Sequence, residues 1–182
     1  MTITRRLGKG TRVMTMKWIF DDGGRAEAGF KGRTGDCVCR AIAIAAERPY
    51  KEVYDLINEY AKAERTGKRK KGVSSARTGV YKGTLKKVMK HYGFEWHSTM
   101  GIGTGCTVHL REDELPSGRL VVNLSRHSTA VIDGVIHDTY DPNDRAHILK
   151  PDLEHEGKWI DTTSEFRCVY GYFKKKGETD VA

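Results

Sequence analysis

A chain of 182 residues with a formal net charge of +8 and a mean hydropathy of −0.58 is short, basic and too polar for an integral membrane protein. One domain is expected, since domains usually run to roughly 100–200 residues, and this length buries a core without metal or disulfide staples. No apolar run approaches the roughly 18–20 residues of a spanning helix, so no membrane partner is expected. Met1 to Gly10 is polar and basic, unlike a secretory signal. Four cysteines do not make a disulfide scaffold in a chain of this size. The expectation is a cytoplasmic protein with reduced thiols. A pI near 9.3 permits a nucleic-acid partner without requiring one.

Residues 1–15 read as a basic arm carrying Arg5, Arg6, Lys9 and Arg12. Met16 to Phe20 suits a short strand. Five glycines between Asp21 and Gly35 mark a loop. Cys37 to Glu47 is apolar nearly all round, the pattern of a buried helix. Asp36 stands where a carboxylate caps a first turn. A second helix runs over 50–65, with Val53, Leu56, Ile57, Tyr60 and Ala61 at helical spacing. Arg65 to Lys71 is a basic run, most simply a solvated loop, and otherwise a contact for nucleic-acid phosphate or an acidic protein surface. Leu85, Val88, Met89 and Tyr92 mark a third helix ending near Gly93.

The last third reads as β structure. Strands are expected over 94–98, 119–124, 127–132, 135–140 and 166–173, the last with Phe166, Cys168, Tyr170 and Tyr172 on one face. Asp133-Gly134 suits a two-residue type I′ hairpin turn. Residues 101–106 form a glycine-rich loop without the strand and helix that a phosphate cradle needs. Residues 143–165 read as irregular, and 174–182 as a polar tail, leaving one domain over 16–173.

The chemistry is carried by a cysteine opening a buried helix, a histidine opening a strand, and an acid on the next strand. A free thiol has a pKa of about 8.5, and a helix N-terminus or a nearby imidazolium favours the thiolate. The imidazole can then protonate a leaving group, and needs an orienting partner on its other nitrogen. The hairpin turn sets Ile132 opposite Val135, Thr129 opposite Asp138 and His127 opposite Tyr140. Alternation puts His127, Thr129, Ile136, Asp138 and Tyr140 on one face, with Asp138 diagonal to His127. Asp141 points to the other face unless the strand ends or bulges, and stays in reserve as orienter. Cys39 faces away from Cys37 and reads as filler, and His137 falls on the opposite face from His127. The Cys37, Cys39, Cys106 and Cys168 set does not suit zinc, because the first pair sits in an apolar helix rather than on a turn. Trp18, Trp96 and Trp159 read as core or groove walls.

The segments Gly35-Asp-Cys-Val-Cys-Arg-Ala-Ile-Ala-Ile44 and His127-Ser-Thr-Ala-Val-Ile-Asp-Gly-Val-Ile-His-Asp-Thr-Tyr-Asp141 resemble the papain-like cysteine peptidase fold. The resemblance is taken in the broad sense that includes peptidase C39-like and transglutaminase-like proteins, and is strongest to small bacteriophage and bacterial members. It implies an α+β fold with N-terminal helices packed on a C-terminal antiparallel sheet and the site between them. It implies Cys37 as nucleophile, His127 as general base and acid, and Asp138 as orienter. It also implies hydrolysis of an amide, peptide or isopeptide bond in a protein or peptide substrate, without a cofactor or metal.

One departure is plain: such peptidases place a glutamine before the cysteine as an oxyanion donor, and this chain has no glutamine. The Cys37 amide supplies one donor. A second would come from a loop amide or from Lys31, Arg33 or Thr34. The alternative is a catalytically inactive papain-like binding protein that docks a host protein or nucleic acid through its basic surface.

Overall fold

The computed structural model describes residues 16–66, 72–145, 149–151, 159–161 and 166–177, with backbone alone for 144–145, 149–151 and 159–161. The basic arm 1–15, residues 67–71 of the basic run, the Trp159 side chain and the last residues of the tail lie outside the described residues. Eight strands and three α-helices are described: β1 (Lys17–Phe20), α1 (Cys37–Ala46), α2 (Tyr50–Lys62), α3 (Lys82–His91), β2 (Phe94–Ser98), β3 (Arg119–Leu124), β4 (His127–Ile132), β5 (Val135–Asp138), β6 (Leu149–Pro151), β7 (Trp159–Asp161) and β8 (Gly171–Lys175). The class is α+β.

Six strands form one sheet in the order β1-β5-β4-β3-β8-β2, and β6 pairs with β7 separately, inside the stretch expected to be irregular. The sheet is mixed, which corrects the expectation of a wholly antiparallel one. β1 runs parallel to β5, pairing Lys17 with Val135 and Phe20 with Asp138. A parallel pair needs a long crossover, and the whole helical region lies between these two strands in sequence. The short strand at the N-terminal end of the domain thereby becomes the edge strand beside the β4–β5 hairpin.

That hairpin has the register its turn dictates: Ile132 pairs with Val135, Val131 with Ile136 and Ala130 with His137. Asp133 and Gly134 both take positive φ, 46° and 75°, as a type I′ turn requires. β5 stops at Asp138 rather than continuing to Tyr140.

The strand expected over 166–173 begins only at Gly171. Before it, the chain pairs with the loop ahead of β3: the Leu110 amide donates to the Arg167 carbonyl and the Val169 amide to the Val108 carbonyl, both at 2.8 Å. Phe166 is buried, Cys168 half-buried and Tyr170 exposed, so these residues do not share one strand face. Lys174 and Lys175, expected in the tail, belong to β8. Gly171 has a φ of +150°, and a Cβ there would stand 2.3 Å from the Trp96 ring, so β2 and β8 approach this closely only with glycine.

The same pairing overturns the expectation of uniformly reduced cysteines. Cys106 and Cys168 form a disulfide across a Cα separation of 5.8 Å. The antiparallel bridge between His109 and Cys168 brings the two segments together, at a spacing ordinary for such a bond. Spacing along the chain does not reveal this, because 62 residues separate the two cysteines.

The core has two parts. One joins α1, α2 and α3 to Val121, Ala130 and Phe173 of the sheet; the other gathers Leu120, Val122, Leu124, Val131 and Ile136 with Leu110 and Val169. The odd–even alternation along β3 and β4 sorts these residues between the two faces. α1 is the most enclosed helix, with Val38, Cys39, Ala41, Ile42, Ala43, Ile44 and Ala45 all buried. Its far end is fixed by Arg119, whose guanidinium donates to the Ala45 and Ile44 carbonyls at 2.9 and 2.7 Å. A cation there also complements the helix dipole.

Candidate active site

The structure brings Cys37, His127 and Asp138 together. Cys37 opens α1 and is half-buried, His127 opens β4, and Asp138 closes β5. His127 and Asp138 are buried, and their Nε2 and Oδ2 atoms lie 2.7 Å apart. With Nε2 turned to Asp138, Nδ1 is the ring nitrogen left for the thiol. The Tyr140 ring packs against the imidazole at a centroid distance of 5.0 Å.

Burial alone would raise the Cys37 pKa. A hydrogen bond and the charge of His127, a backbone hydrogen bond from Ser128 and the charge of Arg40 outweigh it, and hold the thiol below its ordinary value. Burial likewise acts to lower the His127 pKa, but hydrogen bonds to Asp138 and Cys37 and the charges of both carry it above the ordinary imidazole value. The two shifts together favour a thiolate–imidazolium pair. Cys39, two residues on, has the opposite character. It is fully buried, its thiol lies 3.8 Å from the Tyr50 carbonyl, and burial pushes its pKa up to about 12.

Asp138 is held from both ends. Its backbone carbonyl accepts from Trp18 Nε1 at 3.1 Å and from the Asp21 amide at 3.0 Å, both from β1 and its exit. Its Oδ1 accepts the Thr139 amide at 2.7 Å. The groove-wall reading of Trp18 thus becomes a specific strut, although its ring is 39% exposed. Trp96 packs on Phe173, away from these residues in the sheet order. Asp141, the reserve orienter, accepts the Asn143 amide at 2.9 Å in a local turn. His137 lies 3.2 Å from Asp21.

Asp36 does not cap α1 with its side chain. Its buried carboxylate is taken by three other groups: Arg25 Nε at 2.8 Å, Arg40 Nη1 at 2.8 Å and the Tyr50 hydroxyl at 2.7 Å. Arg40 also reaches Asp138, with Nη2 3.8 Å from Oδ1. It therefore links the acid before the cysteine to the acid beside the histidine. The sequence reading missed Arg40 and the Ser128 amide, whereas it set Tyr140 on the face of His127 without giving it a role. For Arg40 a signal was present, since it is the single charged side chain between Cys37 and Ala46.

Of the side chains considered as oxyanion donors, Thr34 is committed elsewhere, donating to the Arg77 carbonyl at 2.5 Å. Lys31 and Arg33 are exposed. The first-turn amides of α1 are not occupied by the Asp36 carboxylate. The four cysteines do not converge: two are bonded to each other and two lie on α1. Among the described residues no group of three or more His, Cys, Asp or Glu is arranged to hold a metal ion. No described helix is long and apolar enough to cross a membrane.

No protein-family model matches the chain, and no similar protein was found among curated sequences or solved structures.

Proposed function

We propose that the chain is a cysteine hydrolase of papain-like arrangement, acting on an amide, peptide or isopeptide bond. The observation that carries this reading is the contact of His127 with Cys37 on one side and with Asp138, at 2.7 Å, on the other. In this mechanism the Cys37 thiolate attacks the scissile carbonyl carbon. The C–S bond forms as the carbonyl π pair moves to oxygen, and the Cys37 amide at the start of α1 faces the resulting oxyanion. The oxyanion collapses, the C–N bond breaks, and the His127 imidazolium gives its proton to the departing amine. The product is a thioester and a neutral imidazole. His127 then takes a proton from water as the hydroxide attacks the thioester carbonyl. Release of the carboxylic acid restores the thiolate and the imidazolium. Asp138 keeps the ring oriented and stabilises its positive charge through both steps.

The test is incubation of the protein with a complex peptide mixture, read by mass spectrometry for new termini. The reading expects products with the wild type and none with Cys37→Ala. Identical patterns from both proteins overturn it.

A second reading, an inactive binding protein docking nucleic acid or an acidic protein, draws on the absence of glutamine and the net charge of +8. It expects salt-sensitive binding that survives Cys37→Ala.

A further inference from the structure

The loop that leads into Cys37 and the loop packed against it carry exposed positive charge. Two loops lie together ahead of the cysteine. The Thr34 hydroxyl donates to the Arg77 carbonyl at 2.5 Å, Gly35 backs onto the Thr78 carbonyl, and the Arg77 guanidinium lies over Gly32. The second loop is closed on itself by reciprocal hydrogen bonds between Ser75 and Gly79. Together they expose Lys31, Arg33 and Arg77, and residues 31–35 and 72–81 contain no acid.

Two carboxylates flanking these loops are already engaged. Asp36 is buried between Arg25 and Arg40. Glu64 sits under the second loop and accepts from the Ser74 amide and hydroxyl and the Thr84 hydroxyl. Arg25 spends its Nη2 on the Lys31 and Gly32 carbonyls at 3.0 and 2.8 Å, fixing the first loop in place. On the other flank, exposed Arg126 stands directly before His127 with a φ of 56°. The exposed cations thus stand on the segment that leads into Cys37, on the loop packed against it, and directly before His127 in sequence.

We infer that the substrate is anionic beside the bond that is cleaved, as an acidic peptide is, and that the Lys31, Arg33, Arg77 and Arg126 rim selects it. The inference rests on the proposed thiol chemistry, because it concerns what reaches Cys37. Exposed charges of one sign around a reactive group raise the local concentration of oppositely charged reactants in a salt-dependent way.

The experiment compares alkylation of Cys37 by iodoacetate, an anion, with that by neutral iodoacetamide, mapped by mass spectrometry at low and high salt. In both cases the thiolate displaces iodide and an S–C bond forms. The comparison is repeated with Arg77→Gln/Arg126→Gln, which alters neither Cys37, His127 nor Asp138. The expected result is a fall in the iodoacetate-to-iodoacetamide rate ratio of roughly 3–10-fold in the variant at low salt, with the iodoacetamide rate unchanged. An octaglutamate peptide is also expected to slow wild-type labelling. An unchanged ratio overturns the inference while leaving the hydrolase reading intact. Protection by a single-stranded oligonucleotide but not by octaglutamate overturns it in favour of nucleic acid. Failure of both reagents to label wild-type Cys37 overturns the nucleophile reading itself.

Discussion

Arg40 joins two buried acids, with one guanidinium nitrogen 2.8 Å from Asp36 and another 3.8 Å from Asp138. It stands one helical turn after Cys37, so the acid before Cys37 and the acid bonded to His127 share a cation. The geometry of the site therefore depends on a charge network as well as on the hairpin register.

Removing Asp36 is expected to cost stability more than its size suggests. Asp36→Ala leaves Arg25, mostly buried, without this counter-ion, and Arg40, also mostly buried, with only its longer contact to Asp138. Losing one partner of a buried pair typically costs about 3–5 kcal/mol. Urea unfolding of the variant against the wild type measures this; a loss below about 1 kcal/mol would show that the network does not hold the fold.

Asp138 can be separated from its charge. Asp138→Asn keeps an acceptor for the imidazole, whereas Asp138→Ala removes it. On a peptide that the wild type cleaves, kcat/KM is expected to fall further for Ala than for Asn, with the Ala variant down by about 10²–10⁴. Equal activity of both variants with the wild type would remove Asp138 from the mechanism.

The pH profile follows from the direction of the two shifts. The Cys37 pKa is lowered against burial, chiefly by His127, and the His127 pKa is raised against burial, chiefly by Asp138. Activity needs thiolate and imidazolium together, so kcat/KM is expected to be bell-shaped. Its acid limb lies below the ordinary thiol range and its alkaline limb above the ordinary imidazole value of about 6.5. The same sign governs stability: the part owed to charged His127 is present below about pH 6.5 and is lost as pH rises through its folded pKa. In Asp138→Asn the alkaline limb is expected to move to lower pH. A profile with one rising limb near pH 8.5 would contradict the pairing.

At the opposite edge of the sheet, Gly171→Ala is expected to destabilise the fold by about 1–3 kcal/mol, because the new methyl meets the Trp96 ring and the His97 carbonyl in a strained backbone conformation. Thermal unfolding measures the loss, and an unchanged midpoint would contradict the close packing of β2 on β8.

Much of this was legible along the chain because it is local. The hairpin register follows from two turn residues, and the diagonal reach of Asp138 to His127 follows from the register. α1 shows itself through its unbroken apolar run. What stayed hidden depends on contacts distant in sequence. β1 joins β5 across more than a hundred residues, so the donation of Trp18 to the Asp138 carbonyl has no local signature. The Cys106–Cys168 bond depends on the bridge of the loop before β3 to the segment before β8. Asp36 read as a helix cap because the rule for that position is local, whereas Arg25, Arg40 and Tyr50 claim its carboxylate in the fold.

The central claim, that His127 and its acid activate Cys37, is tested most directly by the pH dependence of iodoacetamide alkylation at each free cysteine, in the wild type and in His127→Ala. The account expects wild-type Cys37 to be labelled with a midpoint below the ordinary thiol value of about 8.5, Cys39 to resist throughout the range, and the Cys37 midpoint to rise in the variant. A wild-type Cys37 that labels no more readily than Cys39, or whose midpoint does not move when His127 is removed, would contradict it.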